Sequence, residues 1–404
     1  MKINIPDCFI NDSEEYITIP AMRRFCDQQQ IKAGYLRDEI INSIITFAEE
    51  SEENLVKFSS WINKVLKEGI KHIYLKEYVI KNQVLLEGLK NPNMVDNILK
   101  QKFPNCPQVD IYMSNATKEL LLQKYTYKLE DDEVKVIYFE FVIKLIQVNN
   151  KFIKQTISYP IYVDMDLENG VMQIRAKSKK GLFLYTPDLS TEDNLKQNVD
   201  VLCTKVSRII SQSFEIEYLN RNDSTNRFKN YIYNLFNDST FTPQFIADLV
   251  SGYSANIDTF ISHIQNEFKI DDTYYTHMKE DLNIFIEKYL SVTRLKKEDL
   301  QKDRVFYPIK TSSTDIEQTK HSTTSSNHEP LQCKEKFFDT KKSIQSSKSC
   351  DSVSFCHARQ QNKYFGSEPF IISFEVSKGW CIIKLPRYVE EEDIQYVLSR
   401  FINT

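Results

Sequence analysis

Residues 159–181, YPIYVDMDLENGVMQIRAKSKKG, hold the densest group of side chains that could do chemistry. Asp164 and Asp166 stand two positions apart, and a cluster of basic residues follows them. Alternate residues of a strand point to the same face, so the two carboxylates would share one face of a sheet. Paired acids suit a divalent cation, and clustered cations suit a phosphate or an acidic partner.

The dipeptide Asn169-Gly170 is the sequence signal of a two-residue type I′ hairpin turn. This turn predicts a register in which Asp164 lies opposite Arg175 as a cross-strand ion pair. One face of the hairpin is then apolar and the other polar, which is routine for an antiparallel sheet with one wet face and requires no function. The apolar face comprises Val163, Met165, Leu167, Met172, Ile174 and Ala176, and the polar face comprises Tyr162, Asp164, Asp166, Gln173, Arg175 and Lys177.

A metal site is one functional interpretation of this hairpin. Asp164 and Asp166, with Glu140 from the preceding predicted strand, could hold Mg²⁺ for phosphoryl transfer in a nuclease or nucleotidyltransferase. Arg175 competes for Asp164, and the upstream Gly-Ser of nucleotidyltransferases with an Asp-x-Asp pair is absent. The metal-dependent enzyme is therefore the alternative hypothesis.

A basic binding face is the other functional interpretation. Cations beside aromatic rings on an exposed sheet could hold phosphate and stack bases, or bind a protein. The same charges also fit a solvated strand end that is protected from aggregation. The exposed face is still the best positive signal for function, and it comprises Arg175, Lys177, Lys179 and Lys180, with Tyr162 and Tyr185 nearby.

Four further side chains could bind zinc. Cys333, Cys350, Cys356 and His357 lie in or beside a polar tract, where a metal could order a segment that is short of core residues. Their spacing is irregular and contains no C-x₂-C pair, which favours scattered residues over a zinc site.

The glycine content excludes several enzyme classes. The chain of 404 residues has only eight glycines, and the closest two are Gly170 and Gly181. A Walker loop, a Rossmann fingerprint and a GxSxG elbow all need closer glycines, because their backbones leave no room for a Cβ. No HExxH motif is present, and no nucleophile or general base can be named from the sequence.

Charge and hydropathy indicate a cytoplasmic protein. The net charge of −4 gives no overall positive field, so a basic contact would have to be local. No segment reaches the roughly 20 apolar residues of a membrane helix, and the first residues lack the apolar core of a signal peptide. The eight cysteines show no paired spacing, which predicts reduced thiols.

The periodicity of apolar residues predicts an α+β fold. We expect a mainly helical region over 1–120 and an antiparallel β-meander covered by helices over 121–308. Residues 309–365 form a polar, low-complexity tract that predicts a flexible linker or insertion. Residues 366–404 predict a C-terminal β-hairpin and a helix, which could pack on the central sheet.

Local signals refine these expectations. Pro160 predicts a bulge or an edge position in its strand. Ser190 and Asp193 predict the start of a helix by a capping box. A single helix is expected from Thr242-Pro243 to Ile264, and a hairpin turn at Lys378-Gly379.

The sequence therefore predicts a non-catalytic binding or scaffold subunit. Its partner would be another protein or a nucleic acid, bound by the exposed basic face and without a membrane or a cofactor. Mg²⁺ would be bound only at the alternative acidic site described above, and Zn²⁺ only at the alternative cysteine and histidine site.

Overall fold

The computed structural model of the chain describes residues 16–69, 71–149, 152–314, 319–361 and 369–402. Within these ranges the chain forms thirteen α-helices and thirteen β-strands, mostly in antiparallel sheet, so the predicted α+β class is confirmed. The helices are α1 (Ile19–Gln29), α2 (Arg37–Glu50), α3 (Glu52–Lys67), α4 (Gln83–Lys90), α5 (Val95–Lys102), α6 (Val199–Phe214), α7 (Arg221–Ser239), α8 (Gln244–Gly252), α9 (Ser254–Phe268), α10 (Tyr275–Arg294), α11 (Lys297–Asp303), α12 (Glu335–Ser347) and α13 (Glu391–Ile402). The strands are β1 (Lys71–Ile80), β2 (Leu121–Glu130), β3 (Glu133–Val148), β4 (Lys154–Asp166), β5 (Val171–Ala176), β6 (Leu182–Leu184), β7 (Lys196–Gln197), β8 (Ile216–Tyr218), β9 (Phe306–Thr314), β10 (Lys320–Thr324), β11 (Ser352–Gln361), β12 (Pro369–Ser377) and β13 (Trp380–Leu385).

The backbone contacts divide the chain into two units. Unit 1 comprises Met1–Thr225 with Ser377–Leu398, and unit 2 comprises Asn226–Val376 with Ser399–Thr404. Unit 1 is therefore built from two stretches that are distant in the sequence.

Capping and apolar spacing account for the N-terminal helices of unit 1. The Ser51 hydroxyl accepts a hydrogen bond from the Asn54 amide at 3.1 Å and begins α3, as the sequence predicts. Gly69 follows the end of the helix with φ of 88°, a conformation that glycine adopts without strain. Phe58 and Ile62 of the predicted apolar row are fully buried.

The sheet of unit 1 is built around the predicted meander. Its strands run in the order β13-β1-β5-β4-β3, and β2 and β6 both pair with β3. Pro160 interrupts neither ladder: β4 pairs with β3 through Val142–Pro160 without a register shift, and the β5 ladder begins only at Ile161. Pro160 thus has a neighbouring strand on one side, so it occupies an edge position and forms no bulge.

The β4–β5 hairpin differs from its predicted register. Asp166 pairs with Val171, which leaves a loop over 167–170, and Gly170 alone in this loop has a positive φ. The predicted two-residue turn at Asn169 is therefore wrong. Because the side-chain period of a strand is two, this shift by two residues keeps each side chain on its predicted face.

Helix α6 packs against the apolar face of the sheet. Leu202 and Val206 of α6 share one core with Val163, Met165 and Ile174 of the hairpin. Burying such a side chain contributes roughly 1.5–3 kcal/mol, so this layer holds the hairpin in place.

The start of α6 is later than predicted. Residues 193–195 form a 3₁₀ turn, and the Asn198 side chain caps α6 by accepting the Val201 amide hydrogen at 2.8 Å. The capping box at Ser190 is wrong because Asn198 satisfies the first free amides instead.

Unit 2 contains a sheet formed by β9–β12, and helices α8–α12. The described part of 309–365 lies within β9–β11 and α12 and their connections, which is not the arrangement of a flexible linker; the alternative, an insertion, stays a prediction. Several of its hydroxyl groups find partners inside the fold: Ser313 donates to the Ser349 carbonyl at 2.9 Å, and the hydroxyls of Thr323 and Thr340 lie 2.6 Å apart. Polar side chains can be buried when they are hydrogen-bonded in this way.

Two helices replace the single helix predicted after Thr242. Helix α8 ends at Gly252, and Tyr253, with φ of −95° and ψ of 2°, separates it from α9. Ile257 of the predicted apolar row is buried, whereas Phe260 is half exposed.

The predicted C-terminal hairpin and helix are present. Lys378 and Gly379 have φ of 53° and 78°, as a type I′ turn requires. Ile394 and Val397 are buried on α13. In the described ranges, no helix has the length and apolarity of a membrane span, and the cysteines that can be placed there form no disulfide.

Candidate functional site

The polar face of the β4–β5 hairpin is covered within unit 1. Only 3% of Arg175, 2% of Lys177 and 6% of Lys179 is exposed, and Tyr162 is equally buried, whereas Lys180 is exposed. The prediction of an exposed basic face is therefore wrong for four of its residues. The alternation of polar residues identifies a face of a sheet but not what covers it.

Arg175 joins three elements on this covered face. Its Nη2 atom donates to Asp164 Oδ2 at 2.7 Å, and its Nη1 atom donates to Glu391 in the first turn of α13. The predicted Asp164–Arg175 pair is thus present, although the register makes it diagonal. The planar guanidinium can hold two carboxylates at once, which suits Arg to this position.

Burial and Arg175 act against each other on the two acids. Burial raises the pKa of Asp164 above its ordinary value of 3.8, and the opposing attraction of Arg175 is weaker. Burial also opposes ionisation of Glu391, but the attraction and hydrogen bond of Arg175, with other partners, hold the pKa of Glu391 below its ordinary value of 4.5. Arg175 therefore favours the ionised form of both acids against the cost of their burial.

Glu140 is occupied by a different cation. Lys67 of α3 lies 2.6 Å from Glu140 Oε1, and its ammonium is 5.4 Å from the centre of the Tyr162 ring. Helix α3 therefore covers the sheet through a cation that serves both a carboxylate and an aromatic ring.

Asp166 organises the hairpin loop. Its Oδ1 atom accepts the amide hydrogens of Glu168 and Asn169, both at 2.9 Å, and Oδ2 accepts the Asn169 side-chain amide at 2.8 Å. Asp164, Asp166 and Glu140 are thus held by separate partners. In the described part of the chain, no three His, Cys, Asp or Glu side chains are grouped to hold a metal ion.

The four candidate zinc ligands are not gathered either. The Cys350 thiol is buried 3.5 Å from the Ser312 carbonyl, and Cys333 lies near the Leu295 carbonyl instead. Burial raises the pKa of the Cys350 thiol to about 12, which disfavours the thiolate that binds a metal. His357 packs against the Phe306 ring at 5.0 Å.

Three lysines surround one aromatic ring beneath this face. The ammonium groups of Lys71, Lys177 and Lys179 lie 5.2, 4.8 and 5.2 Å from the centre of the Tyr16 ring. Lys71 also donates to the Leu66 carbonyl at 2.9 Å, and burial holds its pKa well below the ordinary range, with Lys177 adding to the effect. These lysines pack inside unit 1, so they offer no surface to a nucleic acid.

A cleft of about 390 Å³ remains above Asp164 and Arg175. Burial raises the pKa of Tyr138, which lines it, to about 12. Lys64 at its rim pairs with Glu392 at 3.0 Å. The charges that line the cleft are balanced, with three cations and three carboxylates. Tyr185, the last member of the predicted exposed basic face, lies outside the β4–β5 hairpin. The centre of its ring is 4.3 Å from the Lys144 ammonium.

A second groove of about 510 Å³ runs beside β2 and is mostly apolar. The outer edge of β2 is partly occupied by the chain itself: the Val109 amide donates to the Gln123 carbonyl at 3.0 Å, and the Tyr125 amide donates to the Gln108 side chain at 3.4 Å. A partner strand therefore could not pair with this part of β2 without displacing residues 108–109.

Several of the most exposed aromatic side chains of unit 2 lie on and between α9 and α10. The exposed fraction is 71% for Phe268, 56% for Phe285 and 50% for Phe260. We call this group the aromatic surface, and it comprises Phe260, Phe268, Tyr274, Phe285 and Tyr289.

The two helices that carry the aromatic surface are neighbours. Asp258 of α9 binds both Lys279 and the Tyr275 hydroxyl of α10, each at 2.7 Å. On α10 the rings of Phe285 and Tyr289 are in contact, with centroids 4.9 Å apart. Their exposed rings therefore lie on a supported two-helix scaffold.

Helix α10 buries very little of its apolar row. Among its twenty residues only Ser291 is buried, although Met278, Leu282, Phe285 and Tyr289 are spaced on one face. Helical spacing predicts this row but gives no information on what it contacts, because a row that faces a core and one that faces a partner look alike. For a similar reason, the contacts of Lys67 and Glu391 with the hairpin could not be predicted from the sequence, because both residues belong to segments that are distant from the hairpin along the chain.

Comparison with known proteins gives one partial match. The chain is 25% identical over 147 residues to the chaperone SurA of Buchnera aphidicola subsp. Acyrthosiphon pisum (strain APS), and the match covers 35% of this chain and 32% of SurA. The chain thus spans about a third of the length of this relative. No family model and no solved structure matches the chain.

Proposed function

We propose that this chain is a protein-binding protein and that it engages a partner polypeptide through the aromatic surface of α9 and α10. The observation that carries the proposal is the exposure of Phe260, Phe268 and Phe285 on two adjacent helices. The proposal keeps the protein partner expected from the sequence and moves the site from the hairpin to unit 2.

The energetics of burial support this assignment. Burying one large apolar side chain contributes roughly 1.5–3 kcal/mol of favourable free energy. The exposed rings would contribute this free energy only when a partner covers them. Clustered exposed apolar side chains mark interaction sites in soluble proteins. Aromatic residues are also enriched at the energetic centres of protein interfaces.

The partial similarity to a chaperone agrees with polypeptide binding. A chaperone acts on other proteins, and the match extends over about a third of each chain. The argument for a nucleic-acid partner was an exposed basic face. Arg175, Lys177 and Lys179 of that face are buried.

The test uses a permanently unfolded protein, reduced and carboxymethylated and carrying a fluorescent label, as the probe. Its anisotropy is titrated with the full chain and with the double variant Phe260→Ser/Phe285→Ser. We expect the wild type to bind the probe and the variant to lose most of the affinity. Melting curves establish that the variant remains folded.

A matched control replaces exposed apolar residues of unit 1. Val56 and Val84 are 68% and 76% exposed, so Val56→Ser/Val84→Ser removes surface apolarity elsewhere. This control should bind like the wild type. Equal binding by the aromatic variant and the wild type would show that the aromatic surface is not the site.

A further inference from the structure

We propose that the cleft of unit 1 above Asp164 and Arg175 binds a small, uncharged ligand that carries several hydroxyl groups, a sugar or a polyol. This site is separate from the aromatic surface, and the inference does not depend on the proposed function. It is drawn from the hydrogen-bonding groups of the cleft that the fold leaves unused and from the pairing of the charges around them.

The cleft is bounded by four strands and two helices. Thr126 of β2 pairs with Tyr138 of β3, and Tyr138 pairs with Asp164 of β4. Tyr162, on the same face of β4 as Asp164, pairs with Arg175 of β5. The volume of about 390 Å³ falls within the range of ligand pockets, roughly 300–1,000 Å³. Helix α3 and the first turn of α13 complete the lining through Asn63, Lys64, Lys67, Glu391 and Glu392.

The charged residues of the cleft already have ionic partners. The ion pairs are Arg175–Asp164, Arg175–Glu391, Lys64–Glu392 and Lys67–Glu140. A charged group of a ligand would have to displace one partner of a pair or remain without a counterion. Around Arg175, which is buried, either cost is large. The cleft therefore favours an uncharged ligand.

Four polar side chains of the cleft are not used by the fold. The hydroxyls of Thr126, Tyr138 and Tyr162 and the side-chain amide of Asn63 form no hydrogen bond with any residue that the structure describes. Only 3% of Tyr162 is exposed, and the hydroxyl of a buried tyrosine usually has a partner. A molecule bound in the cleft would supply that partner.

The chemistry and spacing of these groups select hydroxyls on the ligand. Hydroxyl and amide groups both donate and accept hydrogen bonds, and a ligand hydroxyl does the same. Cβ atoms that lie directly opposite in an antiparallel pair, as in Thr126 and Tyr138, are roughly 4.5–5.5 Å apart. Tyr138 and Tyr162 are diagonal neighbours, at about 7–8 Å. Several hydroxyls on one small frame can reach these groups together.

Saturation-transfer difference NMR tests the proposal with the full chain and a panel of uncharged probes: glucose, galactose, mannose, sucrose, trehalose and myo-inositol. We expect at least one probe to receive saturation from the protein. Glucose 6-phosphate, glucuronate and glucosamine, which are charged analogues, should receive far less at the same concentration. Failure of every uncharged probe to bind, or equal binding of the charged analogues, would overturn the inference.

Variants of the cleft connect binding to its free hydroxyls. Tyr138→Phe/Tyr162→Phe removes two hydroxyls and keeps both rings, so it should weaken binding of the best probe about tenfold or more. Its melting temperature should stay close to that of the wild type. If this variant unfolds, Thr126→Val decides, because Thr126 is exposed and its replacement leaves the core intact. Thr126→Val should weaken binding several-fold.

The control makes the same chemical change outside the cleft. Tyr35→Phe/Tyr185→Phe should bind the probe like the wild type, because neither residue lines the cleft. Unchanged binding in the folded cleft variant would mean that the probe binds elsewhere, and the inference would fail. Phe260→Ser/Phe285→Ser, which tests the aromatic surface, should leave probe binding unchanged, so the two proposals are tested independently.

Discussion

Arg175 and Glu391, 216 positions apart in the chain, form an ion pair that joins β5 to the first turn of α13. Asp164 completes the arrangement on the neighbouring strand. The polar face of the sheet is thus an internal layer of unit 1, in which Arg175 and its two acids come from three different elements.

Replacing Arg175 should destabilise the protein strongly. Arg175→Met removes the shared cation and leaves Asp164 and Glu391 without it in a covered site. Breaking a buried ion pair in this way costs roughly 3–5 kcal/mol of the free energy of unfolding. Chemical denaturation, followed by circular dichroism, measures the change.

The control for this substitution is the exposed member of the same cluster. Lys180→Met removes a charge five residues further along the chain. It should change stability by no more than about 0.5 kcal/mol. A similar loss in both variants would mean that Arg175 has no special role.

Stability should depend on pH through Glu391. Its pKa is lower in the folded chain than its ordinary value of 4.5, so its contribution is present above that value and is lost as pH falls through the folded pKa. The stability difference between wild type and Glu391→Gln should therefore be largest near neutral pH and shrink below about pH 4.5. Denaturation midpoints from pH 7 downward test this, and a difference that grows in acid would contradict it.

Gly170 should not tolerate a side chain. Its φ is +62°, and a Cβ atom added there would lie 2.7 Å from the Tyr78 carbonyl oxygen. Gly170→Ala should lower the free energy of unfolding by at least about 1–2 kcal/mol. Gly252 is the comparison, because a Cβ atom there meets nothing within 4 Å. Gly252→Ala, at the end of α8, should be neutral or stabilise by up to about 1 kcal/mol.

The aromatic surface should bind a hydrophobic dye in the native state. Anilinonaphthalene sulfonate fluorescence should be enhanced by the folded wild type and reduced by Phe285→Ser, whose melting temperature should stay close to that of the wild type.

Phe337, which is fully buried, provides the contrast. Phe337→Ser should lower the melting temperature, since truncating a core Phe costs about 3–5 kcal/mol. Unchanged dye binding in Phe285→Ser would argue against an accessible apolar site on α10.

The sequence predicts the elements of unit 1 well where alternation and capping are strong. The residues on each face of the β4–β5 hairpin were predicted correctly although its register was not, because a shift of two residues preserves the faces. The loop length was missed since Asp166 accepts the amide hydrogens of Glu168 and Asn169, an arrangement that the Asn169-Gly170 signal does not include.

The candidate site was harder to predict because burial is a property of distant contacts. Lys177 and Lys179 look like surface lysines by local sequence, yet they are buried around Tyr16. The polar tract in 309–365 looks disordered by composition, yet Thr323 and Thr340 pair inside unit 2. In both cases the internal polar side chains contact residues from other elements, an aromatic ring for the lysines and a hydroxyl for Thr323.

The divided make-up of unit 1 has a consequence for its synthesis. Strand β1 pairs with β13, and Arg175 meets Glu391 only through α13. A ribosome that has made the first 225 residues has supplied Asp164, but neither β13, which pairs with β1, nor Glu391, the second acid of Arg175. The nascent first unit must wait, with an unpaired strand edge and with only one of the two acids of Arg175, until the residues of unit 2 have emerged. A chaperone that shields nascent chains would find its longest opportunity to act in this interval.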